Sequence, residues 1–292
     1  MLPYCILNNI IITTDEPVDN IFLDNLLIYE KNFLRLNNTK NLKLTINAKS
    51  MKKEKLNKKK IIQTFTLGVD SFYTLYTNIN KIDAILFVVG FDIRTNQKKL
   101  IEITLENIRN IAILYNKELI ICTSEIRADN SPSALHMDWG SYLHGPAIVN
   151  VVYALINNYD VLIIPSSFKD DKFLWGSTSL LDNYYSSNLL KVCHGENISR
   201  IEKTYFICNF DPRCLNYLRV CWLNPNESYN CSNCEKCLRT MYSIYKVGFW
   251  DLQNVFDKNI EPEKYLNLDN GGTAPKIFRK EIEDFINKKN NL

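Results

Sequence analysis

From residue 61 onward, apolar runs of strand length alternate with stretches of helical periodicity. This alternation limits the fold more than any other feature of the chain. Ile61–Phe65, Ile82–Val89, Glu118–Cys122 and Val161–Pro165 read as short strands. Between them, Leu100, Ile103, Leu105, Ile108, Ile111 and Leu114 recur at helical spacing within Lys98–Asn116, and Gly145–Asn157 reads as a helix. Buried strands separated by helices of this length predict a parallel sheet covered on both faces. The expected class is therefore α/β: a parallel sheet, with a small β-rich N-terminal piece and a metal-bearing C-terminal helical region. The corresponding boundaries are 1–58, 59–210 and 211–292. The N-terminal strand candidates are Ile10–Thr13, Phe22–Tyr29 and Leu42–Ile46.

The chain has 292 residues, enough for one large domain with attachments. Hydrophobic residues at 46% and charged residues at 23% exclude disordered, collagen-like and coiled-coil readings. No apolar run reaches about 18 residues, so no membrane span or membrane partner is expected. Met1–Ile12 carries neither a basic start nor a small-residue cleavage site, and a cytoplasmic location is expected. The net charge of +3, from 35 basic and 32 acidic residues, does not by itself argue for nucleic acid. Six lysines nonetheless crowd into 52–60: Lys52, Lys53, Lys55, Lys58, Lys59 and Lys60. They read as a solvated linker or as a phosphate-facing patch beside a nucleotide or RNA site.

Of nine cysteines, Cys5, Cys122, Cys193, Cys208 and Cys214 are scattered, whereas Cys221, Cys231, Cys234 and Cys237 cluster as C-x9-C-x2-C-x2-C. In a reducing compartment such a cluster reads as metal ligands. Four thiolates suit tetrahedral Zn2+ and leave no open coordination position, which makes the metal structural. An iron–sulfur cluster is the competing reading.

Thr66-Leu67-Gly68-Val69-Asp70-Ser71 follows the first central strand and opens a helix. In doubly wound folds that is where ligands bind. Gly68 lets backbone pass close to a ligand, and the amides of Val69, Asp70 and Ser71 fall at a helix N-terminus, where free N–H groups favour anions. Thr66 and Ser71 add hydroxyls, and Asp70 suits Mg2+ or a helix cap. The same residue types are also ordinary caps and turn formers.

Here a resemblance enters. The segment resembles the S-G-G-x-D-S loop of the PP-loop, N-type ATP pyrophosphatases, with Thr66 in place of Ser and Leu67 in place of the first Gly. Together with the later cysteine quartet, Cys237-Leu238-Arg239, Gly248 and the His194–Lys203 segment, it is similar to the 7-cyano-7-deazaguanine synthase family. The similarity spans about residues 61–250. It implies an adenine nucleotide alpha hydrolase-like fold with a parallel five-stranded sheet, and an enzyme that spends ATP, with Mg2+, to activate a carboxylate as its adenylate. An ammonia or amine nucleophile then displaces AMP. It also implies ATP contacts at Thr66–Ser71 and, by the adenine, at Val89 and Gly90, with Asp70, Ser71 and Lys203 catalytic. The implied substrate is a small carboxylate such as a deazapurine, the acceptor in some branches is a protein, and a homodimer is the family's expectation. Relatives of this layout occur in modified-nucleobase, natural-product and antiviral-defence settings. The family's Y-P-D-C-R substrate run is missing. The matching region reads Ile164-Pro165-Ser166-Ser167-Phe168, then Leu174-Trp175-Gly176-Ser177.

Ser166, Ser167, Trp175 and Ser177 follow the fourth strand and suit a flat heterocycle. Arg200 and Lys203, three apart, share a helical face and suit phosphates or a substrate carboxylate. His136, Asp138 and Trp139 read as a lid or as core, His144 as a ligand contact or a helix start, and His194 as a strand end. Lys276–Leu292 reads as an amphipathic packing or dimer helix. Two other readings stay open. One is a PP-loop RNA sulfur transferase with Cys193 or Cys122 as the persulfide carrier. The other is a degenerate PP-loop protein that binds nucleotide or a partner without turnover, motivated by Leu67.

Overall fold

A computed structural model describes residues 2–52, 54, 60–127, 137–169, 175–196, 198–268 and 272–290. Most of the lysine run (Lys53, Lys55, Lys58 and Lys59) and His136 lie outside the described residues. The N-terminal part holds α1 (Leu2–Leu7), β1 (Ile11–Thr13), β2 (Val18–Asp19), α2 (Asn20–Leu36), β3 (Thr45–Asn47) and β4 (Ser50–Met51). The α/β unit follows as β5 (Ile61–Thr64), α3 (Val69–Thr77), β6 (Ala84–Val89), α4 (Lys98–Leu114), β7 (Glu118–Thr123), α5 (His144–Tyr153), β8 (Val161–Ile164), α6 (Ser179–Asp182) and β9 (Lys191–His194). The C-terminal region contributes α7 (Arg200–Phe210), α8 (Glu235–Val247) and α9 (Thr273–Asn290).

The five central strands form one sheet in the order β7-β6-β5-β8-β9, with every pairing parallel. β6 is buried along its whole length. Its side chains divide by parity: Ala84, Leu86 and Val88 enter one core, and Ile85, Phe87 and Val89 the other. The first core takes Leu26, Tyr29 and Phe33 from α2 with Ile148 and Val152 from α5. The second takes Phe72 and Leu75 from α3, Ile108 from α4, Ile207 from α7 and Met241 from α8. The N-terminal segment and the sheet thus share a core.

One expectation fails here. Phe22–Tyr29 is not a strand but lies inside the 17-residue helix α2, so the N-terminal piece is mixed rather than β-rich. The Asp19 carboxylate accepts from the Phe22 N–H at 3.0 Å and caps the helix. Leu26, Tyr29 and Phe33 then bury one face at a spacing of three and four. What remains of the strand reading is two short parallel pairs, β1 with β3 and β2 with β4. No helix among the described residues is long and apolar enough to cross a membrane.

Candidate functional site

The strand order places β6 and β7 on one side of β5, and β8 and β9 on the other. The strands run parallel throughout, but the order in which the chain adds them reverses between β5 and β8, and at such a switch point doubly wound folds form a crevice at the carboxyl ends of the strands. The Thr66–Ser71 turn sits at the end of β5, and Pro165–Phe168 at the end of β8.

The turn is held by its own hydroxyls. Ser71 Oγ accepts from the Thr66 N–H at 3.2 Å and lies 3.3 Å from Thr66 Oγ1. Helix α3 starts at Val69 with Gly68 as its cap residue and without a side-chain cap bond. Leu67 has φ 62, in the left-handed region that costs an ordinary residue about 1–2 kcal/mol. The residue is fully buried in the core that holds Phe65, Val69 and Cys237, and its carbonyl accepts from the Arg219 N–H at 3.0 Å. The side chain is part of the protein's packing and leaves no face for a ligand. Leu67→Gly should relieve the backbone but lose a buried leucine, worth about 2–5 kcal/mol. The expected net is a loss of about 1–3 kcal/mol in denaturant unfolding. A more stable variant would show that Leu67 is not a core residue.

Asp70 is the hub of the crevice. Arg200 Nη2 donates to its Oδ2 at 2.6 Å, and Lys203 Nζ lies 3.4 Å from Oδ1. The Lys203 ammonium also donates to the Ser166 carbonyl at 2.5 Å, which ties the end of β8 to the turn after β5. Lys203 is 1% exposed and Arg200 8%. Both come from α7, whose start is fixed by a capping box: Ser199 Oγ accepts from the Glu202 N–H, and the Glu202 carboxylate accepts from the Ser199 N–H. Burial alone would raise the Asp70 pKa. The charges of Arg200, Lys203 and Lys236 outweigh it and hold the carboxyl below its usual range. Both Asp70 oxygens are therefore engaged by cations. That does not fit the expected Mg2+ contact at this residue.

Two further cations reach the crevice from α8. Burial, followed by the Arg200 charge, pulls Lys236 below the usual lysine value, and burial pulls Arg239 down to about 10. Arg239 is 4% exposed, and its Nε is 3.5 Å from Glu235 Oε1. Lys236 also faces Asp92 beyond the end of β6. Burial would raise the Asp92 pKa, but Lys236, His144, Arg219 and Arg127 keep it low. Lys236, Arg239 and Asp92 were not assigned a role from the sequence. The signal was present for two of them: Lys236 stands between two clustered cysteines, and Arg239 two residues after the last.

The other expected contacts are distributed as follows. Val89 ends β6. Gly90 follows at φ 99, where a Cβ would collide with the Ser124 carbonyl, so backbone geometry alone demands glycine there. Gly90 also lines a pocket of about 330 Å³ with Arg94, Thr95, Asn96, Ser124, Glu125 and Arg127. Ser166 Oγ donates to the Phe168 carbonyl at 3.0 Å, and Ser177 Oγ to Asp182 Oδ2 at 2.6 Å, so both hydroxyls brace loops. Ser167 is partly buried beside them. Trp175 meets Phe168 edge-on at 5.4 Å. Trp139 packs on His144 at 5.4 Å, Asp138 caps the turn at Ser141, and His194 Nε2 is 3.5 Å from the buried Asp182.

Cys221, Cys231, Cys234 and Cys237 come together, with all four Sγ atoms within 4.8 Å of one another. Cys231 Sγ and Cys237 Sγ are 3.9 Å apart. Zn–S bonds of about 2.3 Å in a tetrahedron place sulfurs about 3.8 Å apart, so the donors fit such an ion. Cys234 N–H donates to Cys231 Sγ at 3.3 Å, and Cys237 N–H to Cys234 Sγ at 3.5 Å. Hydrogen bonds from Cys234 and Cys237 pull the Cys221 thiol down, and the same contacts push those two thiols up, so one negative charge is shared within the cluster. Asn230 braces the site: its Oδ1 accepts from the Val220 and Cys221 N–H groups at 2.9 and 3.2 Å, and its Nδ2 donates to the Leu218 carbonyl at 2.8 Å. Because α8 begins at Glu235, the cysteine cluster fixes the helix that carries Lys236 and Arg239. A scan against protein-family models and a search of the curated proteins found nothing that matches this chain.

Proposed function

We propose that the protein is an ATP-dependent C–N ligase of the PP-loop type, similar to the 7-cyano-7-deazaguanine synthases, with a structural Zn2+ on its four clustered cysteines. The observation that carries this reading is the concentration of Arg200, Lys203, Lys236 and Arg239 around Asp70 at the switch point of a parallel sheet. A buried excess of cations beside a helix N-terminus suits a polyphosphate.

In this reading the amides of Val69, Asp70 and Ser71 hold the pyrophosphate portion of ATP. Lys203 and Lys236 offset the charge that grows on it as the α-phosphate is attacked. Asp70 positions Arg200 and Lys203 and takes no proton. The attacking group is a substrate carboxylate, which is already ionised, so the reaction needs no general base. An amine or ammonia then displaces AMP from the acyl-adenylate. Val89 and Gly90 border the adenine, and Ser167 and Trp175 the substrate. The carboxylate's identity, a deazapurine or another flat acid, and a protein as acceptor belong to the same proposal. So does a homodimer in the cytoplasm acting in nucleobase modification or antiviral defence.

Sulfur transfer to RNA is less well supported. Cys122 and Cys193, the two candidate carriers, are partly buried, and burial raises both thiols, the reverse of what an activated thiolate needs. The test is 31P NMR of the metal-loaded protein with ATP, Mg2+, ammonium and a panel of aromatic carboxylates. AMP and pyrophosphate in equal amounts are expected with at least one acid. ADP and phosphate, or ATP binding without turnover on every acid, would contradict a ligase.

A further inference from the structure

Helix α9 places a ring and a carboxylate into the cationic crevice. Phe278 and Glu281 are three apart and share one face. Phe278 is 5% exposed and stacks on Phe168 at 5.0 Å and 17°. The Arg239 guanidinium lies over the same ring at 3.7 Å and that of Arg200 at 4.9 Å. Glu281 Oε2 accepts from the Arg200 main-chain N–H at 3.2 Å, and its charge acts on Arg200, Arg239 and Lys203.

The fit is incomplete. Among the described residues, Arg200 Nε and Arg239 Nη1 are buried without a hydrogen-bond acceptor, and Arg239 Nε has only the ion-pair contact to Glu235 Oε1 at 3.5 Å. A permanent partner would meet these donors, because buried guanidinium groups are normally saturated. Burial also raises the Glu281 carboxyl in spite of the neighbouring cations. The helix supplies an anion that the guanidiniums do not grip.

We propose that Glu281 is an internal counter-anion standing where a ligand's anionic group binds, and that α9 is a cover displaced when the crevice fills. The inference rests on the crevice being an anion site, as read above. Phe278 holds the place of a planar ligand group on Phe168, and Glu281 that of its phosphate or carboxylate. A bidentate anion meets the open Arg239 and Arg200 donors and releases α9.

The test is calorimetric titration of the metal-loaded full chain with inorganic pyrophosphate, for the parent protein, Glu281→Gln and Glu281→Asp. Thermal melts check that each is folded. Glu281→Gln should bind about tenfold more tightly than the parent, and Glu281→Asp within about twofold of it. Hydrogen exchange of α9 amides should quicken at saturating pyrophosphate. Equal or weaker binding by Glu281→Gln, or slower α9 exchange, overturns the cover while leaving the anion site standing. Failure of all three folded proteins to bind pyrophosphate overturns the anion site and the cover with it.

Discussion

For the Zn2+ proposed on the four cysteines, chelation, or Cys237→Ser, should lower the thermal midpoint by about 10 °C or more and abolish the proposed nucleotide binding together with it. Structural zinc contributes about 10–16 kcal/mol in small zinc-dependent peptides, and even a fraction of that is large for a chain of this size. Cys237 is fully buried in the first turn of α8, and Cys234 caps that helix. The four thiols lie within 4.8 Å of one another, a spacing that an ion bound by all of them would hold. The second effect follows from sequence position. Lys236 lies between two of the clustered cysteines and Arg239 two residues beyond the last, so loss of the proposed metal would move two of the four cations around Asp70. Metal analysis should give one ion per chain. Unchanged melting and unchanged ATP uptake after complete chelation would remove the metal from both roles.

Asp70→Ala should cost about 3–5 kcal/mol of stability, because it leaves Arg200 and Lys203 buried beside Lys236 and Arg239 without their shared anion. AMP formation should fall with it, since Lys203 would no longer be drawn between the turn and Ser166. The pH dependence has a definite sign. The folded carboxyl is held below its unfolded value, so its stabilisation is present at neutral pH. It is lost as acid takes the pH below the ordinary carboxylate range and through the folded value. The parent protein should therefore lose stability in acid over a range where Asp70→Ala is flatter. Added pyrophosphate should raise the melting point of the variant more than that of the parent, because an external anion then replaces the missing one. A variant as stable as the parent at neutral pH would mean that Asp70 is not the counter-charge of this cluster.

The central sheet was legible because its signal is local. A strand such as Ala84–Val89, apolar on both faces, can only be a buried one. The cysteine cluster was legible through spacing alone. Phe22–Tyr29 was misread because eight residues of mixed apolar character satisfy either period, and the deciding cap, Asp19, lies outside them. Arg200 and Lys203 were visible as a helical pair, but their shared partner Asp70 is 130 and 133 residues away. Phe278 and Glu281 carried no sequence signal, since an amphipathic terminal helix looks the same whether it packs on a surface or covers a site. Leu67 looked like an obstruction in a glycine position. Its left-handed backbone explains why that position favours glycine, and its full burial explains how a leucine is kept there.

The central claim is that the crevice between β5 and β8 takes up ATP through the turn at Thr66–Ser71 and the cations of α7 and α8. Titration calorimetry of the metal-loaded protein with ATP and Mg2+, beside Lys203→Met, addresses it directly. One ATP per chain is expected, with binding weakened by about 100-fold or more in the variant. No heat of binding from a folded, metal-loaded chain, or equal affinity in Lys203→Met, would contradict it.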